Sequence, residues 1–174
     1  MIKTERLTLR SWKEDDLIPF ARMNADPRVM EFFPSTYSKQ QSDKTANMII
    51  EHDKKHGFTF WAVETDDCDF IGMIGIANAP FKAFFTPANE IGWRLNATHW
   101  GKGYATEGAN ACLDYAFNEL DLKEVVSFTT EKNLRSRRVM EKIRMKHDPK
   151  EVFDHPKLSK EHPLSRHVLY RKTT

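Results

Sequence analysis

Trp100-Gly101-Lys102-Gly103-Tyr104-Ala105-Thr106 is the stretch of this 174-residue chain whose residue types and spacing suit chemistry best. It follows a strand-like segment, EIGWRL at 90–95, and leads into helical sequence from about 103. A strand, a glycine turn and a helix N-terminus together make a cradle for a polyanion. The first-turn amides of a helix have no internal acceptor, and the helix dipole adds roughly half a positive charge there. Glycine at 101 and 103 removes the Cβ atoms that keep a diphosphate off the backbone. Two nucleotide fingerprints are excluded by spacing. A Walker loop needs GxxxxGK[ST], and a dinucleotide GxGxxG needs glycine where Thr106 stands. By itself the GxG also describes an ordinary strand–helix turn.

The elements that must position this turn can be read along the chain. Leu7 and Leu9 alternate with polar residues, predicting a strand over 6–11. Helical spacing covers 14–25 up to Asp26-Pro27, and a second helix covers 38–55, with Ser38 as N-cap and Gly57 as stop. Strands follow at 58–65 and 69–78 around the polar turn Asp66-Asp67, then a loop over 79–88. Beyond the cradle, the helix at 103–119 gathers Ala105, Gly108, Ala109, Cys112 and Ala116 on one face, which allows close approach to a sheet. A strand at 124–129, a helix at 134–143 and a last strand at 166–172 complete the order β-α-α-β-β-β-α-β-α-β. That order predicts one α/β or α+β domain, residues 1–174, around a mixed sheet.

Composition narrows the function classes. Twenty-seven basic and 25 acidic residues interleave to a net +2, and the densest basic cluster, Arg135, Arg137 and Arg138, is short. A nucleic-acid partner is therefore not expected. No apolar run reaches the ~18–20 residues of a membrane span, and the N-terminus reads as strand rather than leader. Cys68 and Cys112 form no CxxC pair, which suits a reducing cytoplasm and no thiolate metal site. His147, His155, His162 and His167 gather near the C-terminus with Asp154, but H-x6-H is not a standard metal spacing. Loop contacts or acceptor recognition is the expectation there, and no metal is predicted. Phe32, Phe33, Phe81, Phe84 and Phe85 fall in loops, where they either line a pocket or pack as satellites of the core.

EIGWRL followed by WGKGYATEG resembles the acetyl-CoA motif of the GNAT superfamily of N-acetyltransferases, in its ribosomal-protein alanine (RimJ/RimL-like) branch. Trp100, Gly103 and Ala105 fall on the marked positions of [Q/R]-x-x-G-x-[G/A], with tryptophan in place of Gln/Arg. About thirty residues on, Asn133-Leu134-Arg135-Ser136-Arg137-Arg138-Val139-Met140-Glu141-Lys142-Ile143 is similar to the branch's N-x-x-S-x-[R/K]-V-x-E-K-[LI] segment. The opening RLTLR and the FIG at 70–72 resemble its early strands. Where the family places glycine and then an aromatic residue, this chain has Arg144-Met145.

The resemblance implies a mostly antiparallel mixed sheet flanked by about four helices, with the strands at 90–95 and 124–129 splayed around the pantetheine arm of acetyl-CoA. Backbone groups of Trp93, Arg94 and Leu95 would pair with that arm, and a backbone N–H there can polarise the thioester carbonyl. Gly101, Lys102, Gly103, Tyr104, Ala105 and Thr106 would hold the pyrophosphate, and Arg138 or Lys102 the 3′-phosphate. Glu90 is the candidate base for the amine, through water, and also reads as a surface carboxylate. Ser136 is the candidate proton donor to the leaving thiolate and also reads as a local capping serine. Asn133 can both cap its helix and touch the cofactor.

Direct aminolysis needs a neutral amine. At pH 7 a lysine is roughly 300-fold less often neutral than an α-amine, a difference of ~3.5 kcal/mol. One modest base therefore matches an α-amine or another low-pKa amine. The implied acceptor is a protein N-terminus or a small-molecule amine, and a dimer is the family tendency. The competing classes are an acyl-CoA sensor without turnover and a small nucleotide-binding domain.

Overall fold

The computed structural model describes residues 1–174. A sheet runs through the molecule in the order β1-β2-β3-β4-β5-β6-β9-β7, with β8 also paired to β9. Its strands are β1 (Ile2–Lys3), β2 (Thr8–Arg10), β3 (Phe60–Thr65), β4 (Cys68–Asn78), β5 (Asn89–Leu95), β6 (Glu124–Thr130), β7 (Lys146–His147), β8 (Phe153–Asp154) and β9 (Arg166–Thr173). Four α-helices cover it: α1 (Leu17–Ala25), α2 (Lys39–His56), α3 (Tyr104–Asn118) and α4 (Leu134–Lys142). Every neighbouring strand pair is antiparallel except β5–β6, which is parallel. The mixed, mostly antiparallel sheet with four helices is the fold expected.

Sequence signals explain the helix ends. Ser38 Oγ accepts from Gln41 N at 3.2 Å, and Gln41 Oε1 accepts from Ser38 N at 2.8 Å, a reciprocal capping box. Gly57 ends α2 at φ 76° and donates to Asp53 O at 2.8 Å. On α3, Gly108 lies so close to the sheet that a Cβ there would sit 2.6 Å from Ile74 Cδ1. α3 and its buried Ala109, Cys112 and Ala116 pack on one sheet face with Ile74, Ile91 and Val125. Phe20, Met23 and Ala46, from α1 and α2, pack on the other face with Ala62, Phe70 and Met73.

Three two-residue strands, β1, β7 and β8, escape the sequence reading because two residues carry no alternation. The helix expected from 14 begins as a 3-10 turn over Glu14–Asp16 before α1. Phe81 and Phe85 pack against each other and Phe153 beside Val126 and Leu169, as a satellite core, and the exposed Phe84 lies against its edge.

Arg144 keeps the left-handed turn that glycine adopts readily, at φ 61°. Arg144 N donates to Glu141 O at 2.9 Å and Met145 N to Met140 O at 3.0 Å, the paired bonds of a Schellman end. Buried Met145 supplies its apolar contact. Arg144→Gly is therefore expected to raise stability by about 1 kcal/mol, read as a higher urea midpoint at unchanged slope.

Candidate active site

The cradle takes the place its spacing predicts. After β5 a 3-10 turn over Ala97–His99 leads to Trp100, and Gly101 and Gly103 adopt φ 76° and 84° before α3 begins. No turn, cap or side-chain acceptor takes the amides from Gly101 to Thr106; the first amide bonded in this helix is Glu107 N, to Gly103 O at 3.0 Å. A row of unpaired N–H groups at a helix N-terminus is an anion site. Trp100 anchors its approach, with Nε1 donating to Leu95 O at 2.9 Å and the Arg135 guanidinium 4.5 Å above its ring. Arg6, from the opening RLTLR, braces the far side. It pairs with Glu107 at 2.6 Å, donates to Lys102 O at 3.0 Å and lies 4.9 Å from the Tyr104 ring centre. The Glu107 charge beside the anion site is thereby neutralised.

β5 and β6 fork beside the cradle. They share register only at Glu90–Val126, whereas β4 and β5 stay paired from Asn78–Asn89 to Gly72–Leu95. Ser127 Oγ donates to Ile91 O at 2.9 Å, one residue beyond that pair on each strand. Ile91 thus aims its main-chain polar groups at β6, and by the period of two so does Trp93. Arg94 is corrected on this point: its backbone faces β4, opposite Met73, and its side chain reaches the other sheet face. Leu95 keeps an N–H toward the gap, but Trp100 already occupies its carbonyl. Trp93 is the residue with both groups free.

A cavity of about 780 Å³ joins cradle, fork and the α1–α2 side of the sheet. Its lining includes Glu90, Trp93, Leu95, Trp100, Gly101, Gly103, Tyr104, Ala105, Thr106, Asn133, Ser136 and Arg138. Lys102 keeps its amide in the cradle row but not its side chain in this cavity. The cavity wall carries Arg138 and Lys142 instead. The sequence reading missed Lys142 and Val139 on α4, and Asn24 and Tyr37 beside Arg94, but named Phe33 as a pocket candidate; helical spacing from Ser136 and Arg138 was the one available signal for the α4 pair.

The Glu90 carboxyl makes no hydrogen bond to protein, and its Oε2 is buried without a partner. Burial pushes its pKa up to about 8, against a smaller downward pull from Lys157. A carboxyl so placed changes charge in the range where an amine must lose a proton. His155 and His167 also line the cavity, with ring centres 5.0 Å apart. Burial, reinforced by His167 and Lys157, lowers His155 to about 4, so it is neutral at pH 7. His147 lies elsewhere, stacked 5.0 Å from the Tyr170 ring. Across the cavity Asn133 Oδ1 caps α4, accepting from Ser136 N at 3.1 Å, and leaves the half-buried Ser136 hydroxyl free of protein partners.

Comparison with known proteins agrees with the fold. A family profile described as an acetyltransferase (GNAT) domain matches residues 6–146. The uncharacterized protein YkkB of Bacillus subtilis (strain 168) is 34% identical over 144 residues, 82% of this chain and 83% of that protein. A GNAT-family acetyltransferase structure from Bacillus anthracis superposes with a TM-score of 0.81 at 26% identity, over 99% of this chain and 97% of that one. The ribosomal L7/L12 α-N-protein acetyltransferase RimL, solved in complex with coenzyme A, shares the fold at 14% identity, with a TM-score of 0.77 over 98% of this chain and 95% of that one. The profile spans most of the sequence and the YkkB relation most of both chains, so this protein belongs to the GNAT family, the acetyl-CoA-dependent acetyltransferases.

Proposed function

We propose that the protein transfers the acetyl group of acetyl-CoA to a primary amine by direct aminolysis in a ternary complex, as a RimJ/RimL-like member of its family. The observation that carries this reading is the row of unpaired amides from Gly101 to Thr106 beside the β5–β6 fork. The thioester, when bound, supplies the activated acyl carbon. The cradle amides hold the diphosphate, Arg138 reaches toward the 3′-phosphate, and Trp93 N–H stabilises the carbonyl oxygen as it gains charge. Glu90 takes a proton from the amine through water, the amine nitrogen attacks the carbonyl carbon, and the C–S bond breaks. Ser136 gives its proton to the departing thiolate and takes in exchange the surplus proton left on the nitrogen of the adduct, so the serine ends neutral. Acceptors in this reading are α-amines of proteins or small molecules, in keeping with one carboxyl base near pKa 8. No helix is long and apolar enough to cross a membrane, and we place the enzyme in the cytoplasm.

Thiol release tests the reading. Purified protein with acetyl-CoA and a panel of amines is expected to liberate free thiol with at least one α-amine, at a rate above acetyl-CoA hydrolysis. Thermal protection by coenzyme A without thiol release from any amine makes the protein an acyl-CoA sensor. Protection by ATP or NAD in place of coenzyme A refutes both.

A further inference from the structure

Acetyl transfer does not account for the α1–α2 half of the cavity. There Phe32, Phe33, Pro34 and Tyr37, between α1 and α2, close over the β5 face that carries Glu90, Gly92 and Arg94. Strand alternation puts these three side-chain positions on one face, with Arg94 about 13 Å along the strand from Glu90. Arg94 is fixed in place. Its Nη1 donates to Asn24 Oδ1 at 2.7 Å, and its guanidinium sits 4.2 Å from the Phe33 ring centre and 5.8 Å from that of Tyr37.

No carboxylate compensates this guanidinium. Its Nε is buried without an acceptor, and burial works against its charge with only the Tyr37 hydroxyl to offset it. A guanidinium keeps its proton, so the cavity carries a standing positive charge. Arg10, the other arginine taken out of solvent, is treated differently: Asp16 receives its fork at 2.7 and 2.9 Å, and Glu64 accepts from its Nε. Asn24 occupies Nη1 of Arg94 and Tyr37 lies beside the guanidinium, but no carboxylate meets its remaining N–H groups, whose planar fork suits one. A polyamine or other polycation would meet this charge unfavourably. Phe33, Phe60 and Met73 on the same wall suit an apolar side chain.

We propose that the acceptor is a small aminocarboxylic acid, an amino acid with an apolar side chain, whose carboxylate docks on the guanidinium of Arg94. A carboxylate held there puts its α-amine on the same β5 face as Glu90, the base assigned to it. The assignment rests on the acetyl-transfer reading and narrows its acceptor.

The test is a thiol-release screen with the apolar L-amino acids, each alongside its carboxamide and its decarboxylated amine. The wild type should prefer the acid over both analogues by about 100-fold or more in kcat/KM, because the analogues leave the buried fork unpaired. In Arg94→Gln the preference should fall to within about 3-fold, while calorimetric affinity for coenzyme A, which draws on the backbone of β5, stays unchanged. Arg94→Lys keeps the charge without the fork and should hold an intermediate preference; it serves as readout if Arg94→Gln does not fold. Equal use of acids and amides, or an acid preference that survives at residue 94, overturns the assignment. If no amine yields thiol although coenzyme A binds, acetyl transfer fails instead. Calorimetry of the same amino acids on coenzyme A-loaded protein then decides the docking site: binding lost in Arg94→Gln retains it, and no binding overturns it.

Discussion

Gly103→Val is expected to weaken coenzyme A binding by at least about 100-fold, a loss of ~2.7 kcal/mol, in a protein that still folds. Gly103 sits at φ 84°, where a side chain strains the backbone by about 1–2 kcal/mol and a β-branched one by more. The first atom added would lie 3.4 Å from Arg6 Nη2, an ordinary contact, so backbone strain and the second branch carry the effect. Relief of that strain rotates the peptide planes on both sides, and these planes aim the amides of Lys102 to Ala105. Gly57→Val is the matched control. Gly57 also has positive φ, 76°, with open space around its missing Cβ, but it ends α2 away from the cradle. It should lose comparable stability and keep its affinity for coenzyme A, as read by calorimetry. Equal affinity in the two variants would contradict an amide cradle.

Glu90→Gln is expected to lower kcat/KM for the amine by about 100- to 1,000-fold, the usual worth of a positioned base. The wild-type rate should climb as pH passes 8, where the carboxyl ionises, and the variant should keep only the titration of the acceptor itself. Stability gives a second, opposite readout. The folded carboxyl titrates near 8 and the unfolded one near 4.5. Between those values the folded state holds the extra proton, so the wild type loses stability as pH rises through the window, and the loss is complete above 8. A neutral amide at this position escapes it. Glu90→Gln should therefore be the more stable protein at pH 8.5, by about 2–4 kcal/mol, with the gap closing toward pH 4.5. Reduced activity with increased stability is a combination that a merely structural carboxylate does not give.

What was legible in the sequence follows the range of the interactions. Ser38 with Gln41, Gly57, Asn133 with Ser136 and the Gly101–Gly103 turn are each local, and their residue types specify the backbone within a few positions. The forked strands were legible only through resemblance, since nothing in EIGWRL or EVVSFT says that one strand leaves the other after Glu90 and Val126. Arg94 shows where local reading stops. Its position on β5 was evident, but its backbone direction depends on register with β4, and its side-chain partner Asn24 is 70 residues away. Arg6 and Glu107, 101 residues apart, were opaque for the same reason. Of the loop aromatics, Phe32 and Phe33 line the cavity while Phe81 and Phe85 join a separate cluster with Phe84 at its edge. Only the course of the chain could divide them.

Amide hydrogen exchange over residues 100–107, with and without coenzyme A, tests the cradle most directly. Six successive amides, Gly101 to Thr106, are free to donate. Coenzyme A should slow exchange across this segment, while pantetheine, which carries the thiol arm without the diphosphate, should leave it unchanged. Tight binding of coenzyme A with no protection from Gly101 to Thr106 would contradict the account.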